Sequence, residues 1–424
     1  MKRNLNIGVH HLARVEGHGN IHVDIRDGKL VEAKWEVVET PRFFEAMLKG
    51  MSHHMAPVLT ARICGICSIG HALASLRAVE RAMDVRVPPR AQQLRLLAKH
   101  GETLQSHALH LFFLAAPDFF SVDSVIPLIE SHPEIVKTAA KLKGLGNRVC
   151  DLIAGRTTHP VSLVVGGLSK MPPKQSLAEL KNQISECIPE ILAAVDLFST
   201  LTFPDFRRET EFVSLKGEKD YPWIGGDLIS SDGVRKPEND YLEMTNEYKE
   251  DFSTSKFAKL SRKSFAVGAL ARFNNNHEFL HQEARNTADA FKLKPTNHNP
   301  FMNNAAQLVE CHHIMLESLE MLDSLLDNGK EIVCARYEIR AGEGMGAVEV
   351  PRGILYHHYT IDKKGIITKA DCIIPTTQNN ANIHFDLHDL VEQQLALKRN
   401  DAEITRLCEM LVRAYDPCIS CSVH

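Results

Sequence analysis

Two pairs of cysteines carry the chemistry this sequence advertises: Cys64-Gly-Ile-Cys67 and Cys418-Ile-Ser-Cys421. Spacing of this kind serves metal ligation or dithiol redox chemistry. Four thiolates suit zinc, an iron–sulfur cluster or another soft-metal centre. A zinc ribbon places its second pair about 15–20 residues from the first, whereas 351 residues separate Cys67 from Cys418. A thioredoxin-like dithiol needs a βαβ setting, and nothing around Cys64 reads as one. The remaining cysteines, Cys150, Cys187, Cys311, Cys334, Cys372 and Cys408, stand alone in mostly apolar or helical surroundings and read as buried, inert thiols. If both pairs serve one site, the two ends of the chain meet inside a single fold, and separable domains are disfavoured.

The bulk of the chain limits the alternatives. It has 424 residues, 44% hydrophobic and 24% charged, with 49 basic against 53 acidic groups and a formal charge of −4. No positive field draws it to nucleic acid or anionic lipid. Its most apolar stretches, Leu109–Ala116 and Ile188–Phe198, fall short of the roughly 20 residues a spanning helix needs. The start Met1-Lys-Arg-Asn-Leu-Asn lacks the apolar core of a secretory signal. A cytoplasmic protein is the expectation.

The elements that must position the cysteines read as an α+β fold in which helices dominate. Asn20–Val38 alternates Ile21, Val23 and Ile25 with polar residues and turns at Asp27-Gly28, the pattern of a β hairpin. Helical periodicity covers Arg90–Leu114, then Ser176–Leu201, where Ser176 and Glu179 form a capping-box pattern. Glu209–Ser264 is polar, with few apolar runs, and reads as an irregular, partly β excursion on the surface of a single catalytic domain, residues 1–424. Helices resume at Phe279–Lys292 and Pro300–Asn328. A second hairpin is expected over Val348–Ile374, turning at Asp362–Gly365, followed by helices through Leu387–Lys398 and Asp401–Val412.

The segments around the cysteines, Arg62-Ile-Cys-Gly-Ile-Cys-Ser-Ile-Gly-His71 and Asp416-Pro-Cys-Ile-Ser-Cys-Ser-Val-His424, resemble the two signatures of nickel–iron hydrogenase large subunits. The resemblance runs along most of the chain. It includes Arg14-Val-Glu-Gly-His18, Pro41-Arg-Phe-Phe-Glu45, Ser106-His-Ala-Leu-His110 with Pro117-Asp118, Glu349-Val-Pro-Arg-Gly353 and Pro375-Thr-Thr-Gln-Asn379. It implies reversible heterolytic cleavage of H2 at a nickel held by four thiolates, with Cys64 and Cys418 terminal and Cys67 and Cys421 bridging to an iron that carries carbon monoxide and two cyanides. Arg352 and Thr376 would bond the cyanides, with Pro351 and Pro375 shaping the cavity. Asp118 and Asp416 would orient Arg352, and Glu16 would pass protons outward. His71 would bond towards a bridging sulfur. Glu45 and His424 would hold magnesium, or iron, nearby.

Without the resemblance, Arg352 is an ion-paired hairpin arginine, Glu16 an exposed neighbour of Arg14, and Asp416 a turn residue before Pro417. The adjacent pairs His53-His54, His312-His313 and His357-His358 are given no role. In the family many chains lose an extension after the histidine three positions beyond the last cysteine; here that position is His424. The compact length, Phe43-Phe-Glu45 and Thr377-Gln-Asn379 resemble the cytosolic bidirectional branch, the sulfhydrogenase and heterodisulfide-reductase-linked type. Six scattered cysteines cannot build four-cysteine clusters, so electrons must leave through a partner, in the family a small subunit carrying an iron–sulfur cluster and, beyond it, NAD(P)- or heterodisulfide-reductase-linked subunits. The alternative is a non-catalytic subunit like the quinone-site subunit of respiratory complex I, which shares the fold without nickel and lacks these cysteines.

Overall fold

A computed structural model describes residues 4–327 and 332–424. The expected helix end at Asn328 and the start Met1–Arg3 lie outside the described residues. Helices predominate, and small sheets sit at the periphery. The amino-terminal hairpin forms from Gly19–Arg26 and Lys29–Val37, with Asp27 and Gly28 both at positive φ, as a tight turn matched to strand twist requires. A third strand, Leu5–Val9, pairs antiparallel with the first arm and was not expected. Trp35 on the inner face donates from Nε1 to Asn380 Oδ1 at 3.0 Å, which ties this sheet to the helix Pro375–Ala396.

Four long helices make the body: α1 (Pro89–Leu109), α2 (Pro133–Ala154), α3 (Lys174–Ser199) and α4 (Asn303–Leu326). α1 continues through one π-helical turn, His110–Ala115, into Ala116–Phe119. The capping box expected at Ser176 does not form, because α3 begins two residues earlier after Pro173; a capping box forms at Asn400 and Glu403 instead. The helix expected from Leu387 begins at Pro375, a favourable first helical position for proline. No helix among the described residues is long and apolar enough to cross a membrane.

The second hairpin is the larger correction. It is a three-stranded meander of Gly342–Val350, Gly353–Ile361 and Ile367–Ile373. Its second turn falls at Asp362–Gly365 as expected, but a strand starting at Gly342 was not expected, and Pro351-Arg352 is a two-residue turn inside the span expected as one hairpin arm. Nor is Glu209–Ser264 a mere surface excursion. Val213, Leu215, Leu228, Tyr241 and Met244 form a second small core with Met345, Ala347, Ile354 and Tyr356 of the meander.

Beneath the meander lies the helix Ser68–Ala82, which starts directly after Cys67. Gly342, Gly344 and Gly346 alternate along the strand and face this helix. A Cβ at Gly344 would stand 2.3 Å from the Ala78 carbonyl oxygen, and one at Gly346 the same distance from that of Ala74. Close approach of backbone to backbone therefore sets the distance between the helix after Cys67 and the strand that leads to Arg352. Gly346→Val should cost about 1–3 kcal/mol, the ordinary penalty of overpacking. Denaturant unfolding of the full chain measures it, and a midpoint unchanged from wild type would refute this account of the packing.

Candidate metal centre

The first and last segments of the described chain are laced together at backbone level. Glu16 and Cys418 form a parallel bridge, and the Ile419 N–H donates to the Glu16 carbonyl at 2.9 Å. Arg42 adds a second tie: its Nη2 donates to the carbonyls of both Ile63 and Ser420, and its own N–H to that of Val423. These ties place the carboxy-terminal cysteines beside Cys64 and Cys67, which close a loop ahead of the helix Ser68–Ala82.

All four sulfurs lie within 4.8 Å of one another. Cys64 Sγ is 3.4 Å from Cys418 Sγ, and Cys67 Sγ is 3.8 Å from Cys421 Sγ. A tetrahedral centre with bonds of about 2.3 Å would separate its sulfurs by about 3.8 Å. None of the four cysteines is more than 3% exposed. Burial pushes the Cys418 and Cys421 thiols well up, whereas the hydrogen bond from Cys418 holds Cys64 well below the usual thiol range.

Arg352 is buried beside them. Its Nη2 donates to Asp416 Oδ1 at 2.8 Å and its Nη1 to Ser106 Oγ at 3.3 Å, while its Nε has no partner. Burial opposes its charge, but Asp416 and the cysteines beside it outweigh burial and keep the guanidinium protonated. Asp118 does not reach Arg352. Its carboxylate takes Arg413 Nε at 2.7 Å and Arg14 Nη2 at 2.6 Å, so it ties Ala116–Phe119 to the two chain ends. The Thr376 hydroxyl accepts the Cys418 N–H at 3.0 Å, which leaves its hydrogen free to donate. Pro351 and Pro375 are buried at the two segment starts that bear Arg352 and Thr376.

Glu16 touches one of the four sulfurs. Cys418 Sγ lies 3.2 Å from Glu16 Oε2, which also accepts the Ser420 N–H at 3.0 Å; Oε1 takes the Ser420 hydroxyl. His71 is placed differently from the expectation. Its ring meets no sulfur among the described hydrogen bonds, and Nδ1 faces His357 Nε2 at 3.1 Å. Burial lowers its pKa to about 3, so it is neutral. His357, given no role from sequence, is fully buried and passes the chain on to the Tyr359 hydroxyl at 2.5 Å. Of the six other cysteines, Cys150, Cys311, Cys372 and Cys408 are buried, with Cys408 pushed up to about 12 by burial; Cys187 is half-buried, and Cys334 is exposed, against expectation.

Glu45 and His424 come together on the far side. His424 Nε2 lies 3.5 Å from Glu45 Oε1 and 2.7 Å from the Cys372 carbonyl oxygen, and the Cys372 N–H donates to Glu45 at 2.8 Å. A carboxylate, a carbonyl and an imidazole converge there. Neither Arg42 nor the Cys372 carbonyl was singled out from sequence, because each acts through a long-range contact.

Fold and site together define a protein in which four buried cysteines, drawn from opposite ends of the chain, converge on a candidate metal centre. The nickel-dependent hydrogenase family matches residues 42–146 and 216–424, and the chain belongs to that family. It is 34% identical over 423 residues to the alpha subunit of sulfhydrogenase 1 of Pyrococcus furiosus, covering 99% of this chain and 98% of that protein. It is 31% identical to the beta subunit of the NAD-reducing hydrogenase HoxS of Cupriavidus necator, covering 97% and 93%. The crystal structure of an NAD+-reducing nickel–iron hydrogenase in the H2-reduced state matches with a TM-score of 0.90 at 29% identity over 99% of both chains. The nickel–iron–selenium hydrogenase of Dm. baculatum shares the fold, with a TM-score of 0.81 at 21% identity.

A nickel–iron centre fits the residues present. The donor set is four soft sulfurs, and the unpartnered Arg352 Nε is a buried donor awaiting an acceptor. Cys421→Ser should lose most of the bound nickel, whereas Cys311→Ser should retain it, since Cys311 lies buried apart from the four. Elemental analysis of the purified chain decides, and equal loss from both variants would refute the division of the cysteines.

Proposed function

We propose that this chain is the catalytic subunit of a nickel–iron hydrogenase that cleaves H2 reversibly into protons and electrons. The observation that carries the reading is the meeting of four buried sulfurs with one charged, Asp416-held arginine. A non-catalytic subunit of the complex I kind would have no use for four converging thiols. Cys64, Cys67, Cys418 and Cys421 would hold the metal pair. When bound, the metal pair supplies the Lewis-acid and redox chemistry of H2 cleavage.

The chain's own residues handle the proton and the charge. Cys418 Sγ is the sulfur in contact with a carboxylate, so a proton arriving there has Glu16 Oε2 as its acceptor. Glu16 is half-buried, which places it between the dry centre and solvent. Arg352, fixed by Asp416 and Ser106, keeps a permanent positive charge next to the thiolates and offers Nε to a ligand of the iron. Thr376 offers its hydroxyl hydrogen. Cyanide nitrogens would satisfy both donors. Glu45, the Cys372 carbonyl and His424 offer one carboxylate oxygen, one carbonyl oxygen and one imidazole nitrogen, a partial shell that magnesium would complete with water.

Electrons have to leave through another polypeptide, because no second group of cysteines comes together among the described residues. A row of exposed apolar side chains, Phe43, Met47, Met51, Met55 and Val58, precedes Cys64 and suits the docking of a small subunit that carries an iron–sulfur cluster. The enzyme is read as cytoplasmic, working with a soluble acceptor through NAD(P)- or heterodisulfide-reductase-linked subunits, with all 424 residues acting as one catalytic domain; similarity to a subunit of an NAD-reducing hydrogenase supports the first kind of acceptor.

Glu16→Gln keeps size and hydrogen bonding but cannot pass a proton. Exchange of hydrogen with solvent deuterium should fall at least about tenfold, a floor below the roughly 10²-fold or more that a positioned proton-transfer group contributes. Nickel content and para/ortho conversion should survive. Exchange at the wild-type rate would remove Glu16 from the path. Arg352→Lys should yield metal-loaded enzyme with turnover down by at least roughly 10²-fold, the scale of one lost oriented donor, and shifted infrared cyanide bands. Full turnover with unshifted bands would make Arg352 structural.

A further inference from the structure

The turn that carries Arg352 is a poor one by itself. Val350 pairs with Gly353, so Pro351 and Arg352 are the two residues of a hairpin loop. Such loops favour turns with positive φ at the first central residue, which proline cannot adopt. Neither Pro351 nor Arg352 has positive φ here. The turn therefore runs against the strand twist, and something outside it must hold it in place.

That something is Arg272, a fully buried residue in the first turn of the helix Ala269–Asn276. Its guanidinium uses all five of its N–H donors. Nη1 donates to the Val350 carbonyl at 2.9 Å and Nη2 to the Pro351 carbonyl at 3.1 Å, the two carbonyls that immediately precede Arg352. Nε and Nη2 grip Glu310 at 2.6 and 2.7 Å, and Nη1 also reaches Glu349 Oε2 at 3.0 Å. Glu310 is pinned in turn by His107 and by the Tyr221 hydroxyl, both at 2.8 Å, and Glu349 accepts the Leu215 N–H at 2.8 Å. The Trp223 ring lies 5.4 Å from the guanidinium carbon. Among the described hydrogen bonds Arg272 reaches no cysteine, and its geometry is over-determined.

We infer that Arg272 is the positioning residue for Arg352: its planar fork clamps the Pro351-Arg352 turn from beneath and so sets where the second guanidinium stands relative to the four sulfurs. The inference rests on the reading of Arg352 as part of the working centre. A lysine at 272 would keep the charge but cannot bridge two carbonyls and two carboxylates in one plane.

The test is a double-mutant cycle with Arg272→Lys, Arg352→Lys and the pair, measuring H2 turnover per bound nickel alongside amide hydrogen–deuterium exchange of the full chain. Arg272→Lys should lower turnover at least about tenfold, since small misplacement of a catalytic group is costly. In the Arg352→Lys background it should lower turnover by no more than about twofold, because groups acting through one another are not additive. Exchange over Arg352–Ile361 should accelerate at least about tenfold, the loss of one or two charge-assisted hydrogen bonds, with α2 and α3, which hold no partner of Arg272, unchanged. Independent, multiplying losses would overturn the inference, as would loosening spread equally over those helices. If Arg272→Lys fails to take up nickel, the exchange comparison on metal-free wild-type and variant chains still decides: unaltered protection of the turn refutes the clamp. A fully active Arg352→Lys would sink the role of Arg352 alone, and the exchange result would still confirm or refute the clamp by Arg272.

Discussion

Everything in this molecule depends on the seam where residues near the start of the chain meet its end. Main-chain bonds from Ile419 to Glu16 and from Arg42 to Val423, with the Arg42 side chain bridging Ile63 and Ser420, bring together cysteines that lie 351 residues apart in sequence. Closing so long a loop costs conformational entropy that grows only slowly with length. Metal binding would add its own free energy to the seam, because the ligands come together only in the folded chain. The same contacts that build the site therefore report that the chain has folded.

Around the seam the protein buries an unusual amount of charge. Asp118 binds Arg413 and Arg14, Asp416 binds Arg352, Glu102 binds Lys99 and receives the Gly70 N–H at the start of the helix after Cys67, and Arg272 joins Glu310 to Glu349. Buried pairs of this kind contribute little net stability compared with apolar packing, since each ion is costly to desolvate. Their value here is geometric. Each fixes the end of a helix or a turn that bears a site residue, and a guanidinium or carboxylate with every lone pair and N–H matched has one orientation. The apolar core supplies stability; the ionic contacts supply placement.

Glu16 is half-buried and in contact with one of the four sulfurs. His71 and His357 are both held uncharged by burial. A low-dielectric surround strengthens every charge interaction at the centre.

How much of this was legible before folding follows from which interactions are local. The two C-x-x-C pairs, the Asp27-Gly28 hairpin and the long amphipathic helices are legible because their signals are short-range: ligand spacing, a positive-φ turn, a helical period. The sequence by itself also determined the family, through motifs spread in order along the chain. It could not reveal the strand Gly342–Val350, whose glycines look wrong for a strand until a helix backbone lies against them. It could not show that Asp118 serves Arg413 and Arg14 instead of Arg352, that His71 faces His357, or that Arg42 and Arg272 brace the site. Those outcomes depend on which buried charge finds which partner across hundreds of residues. Only the tertiary structure decides that, because a buried ion must be matched by whatever the packing of distant elements brings within hydrogen-bond reach.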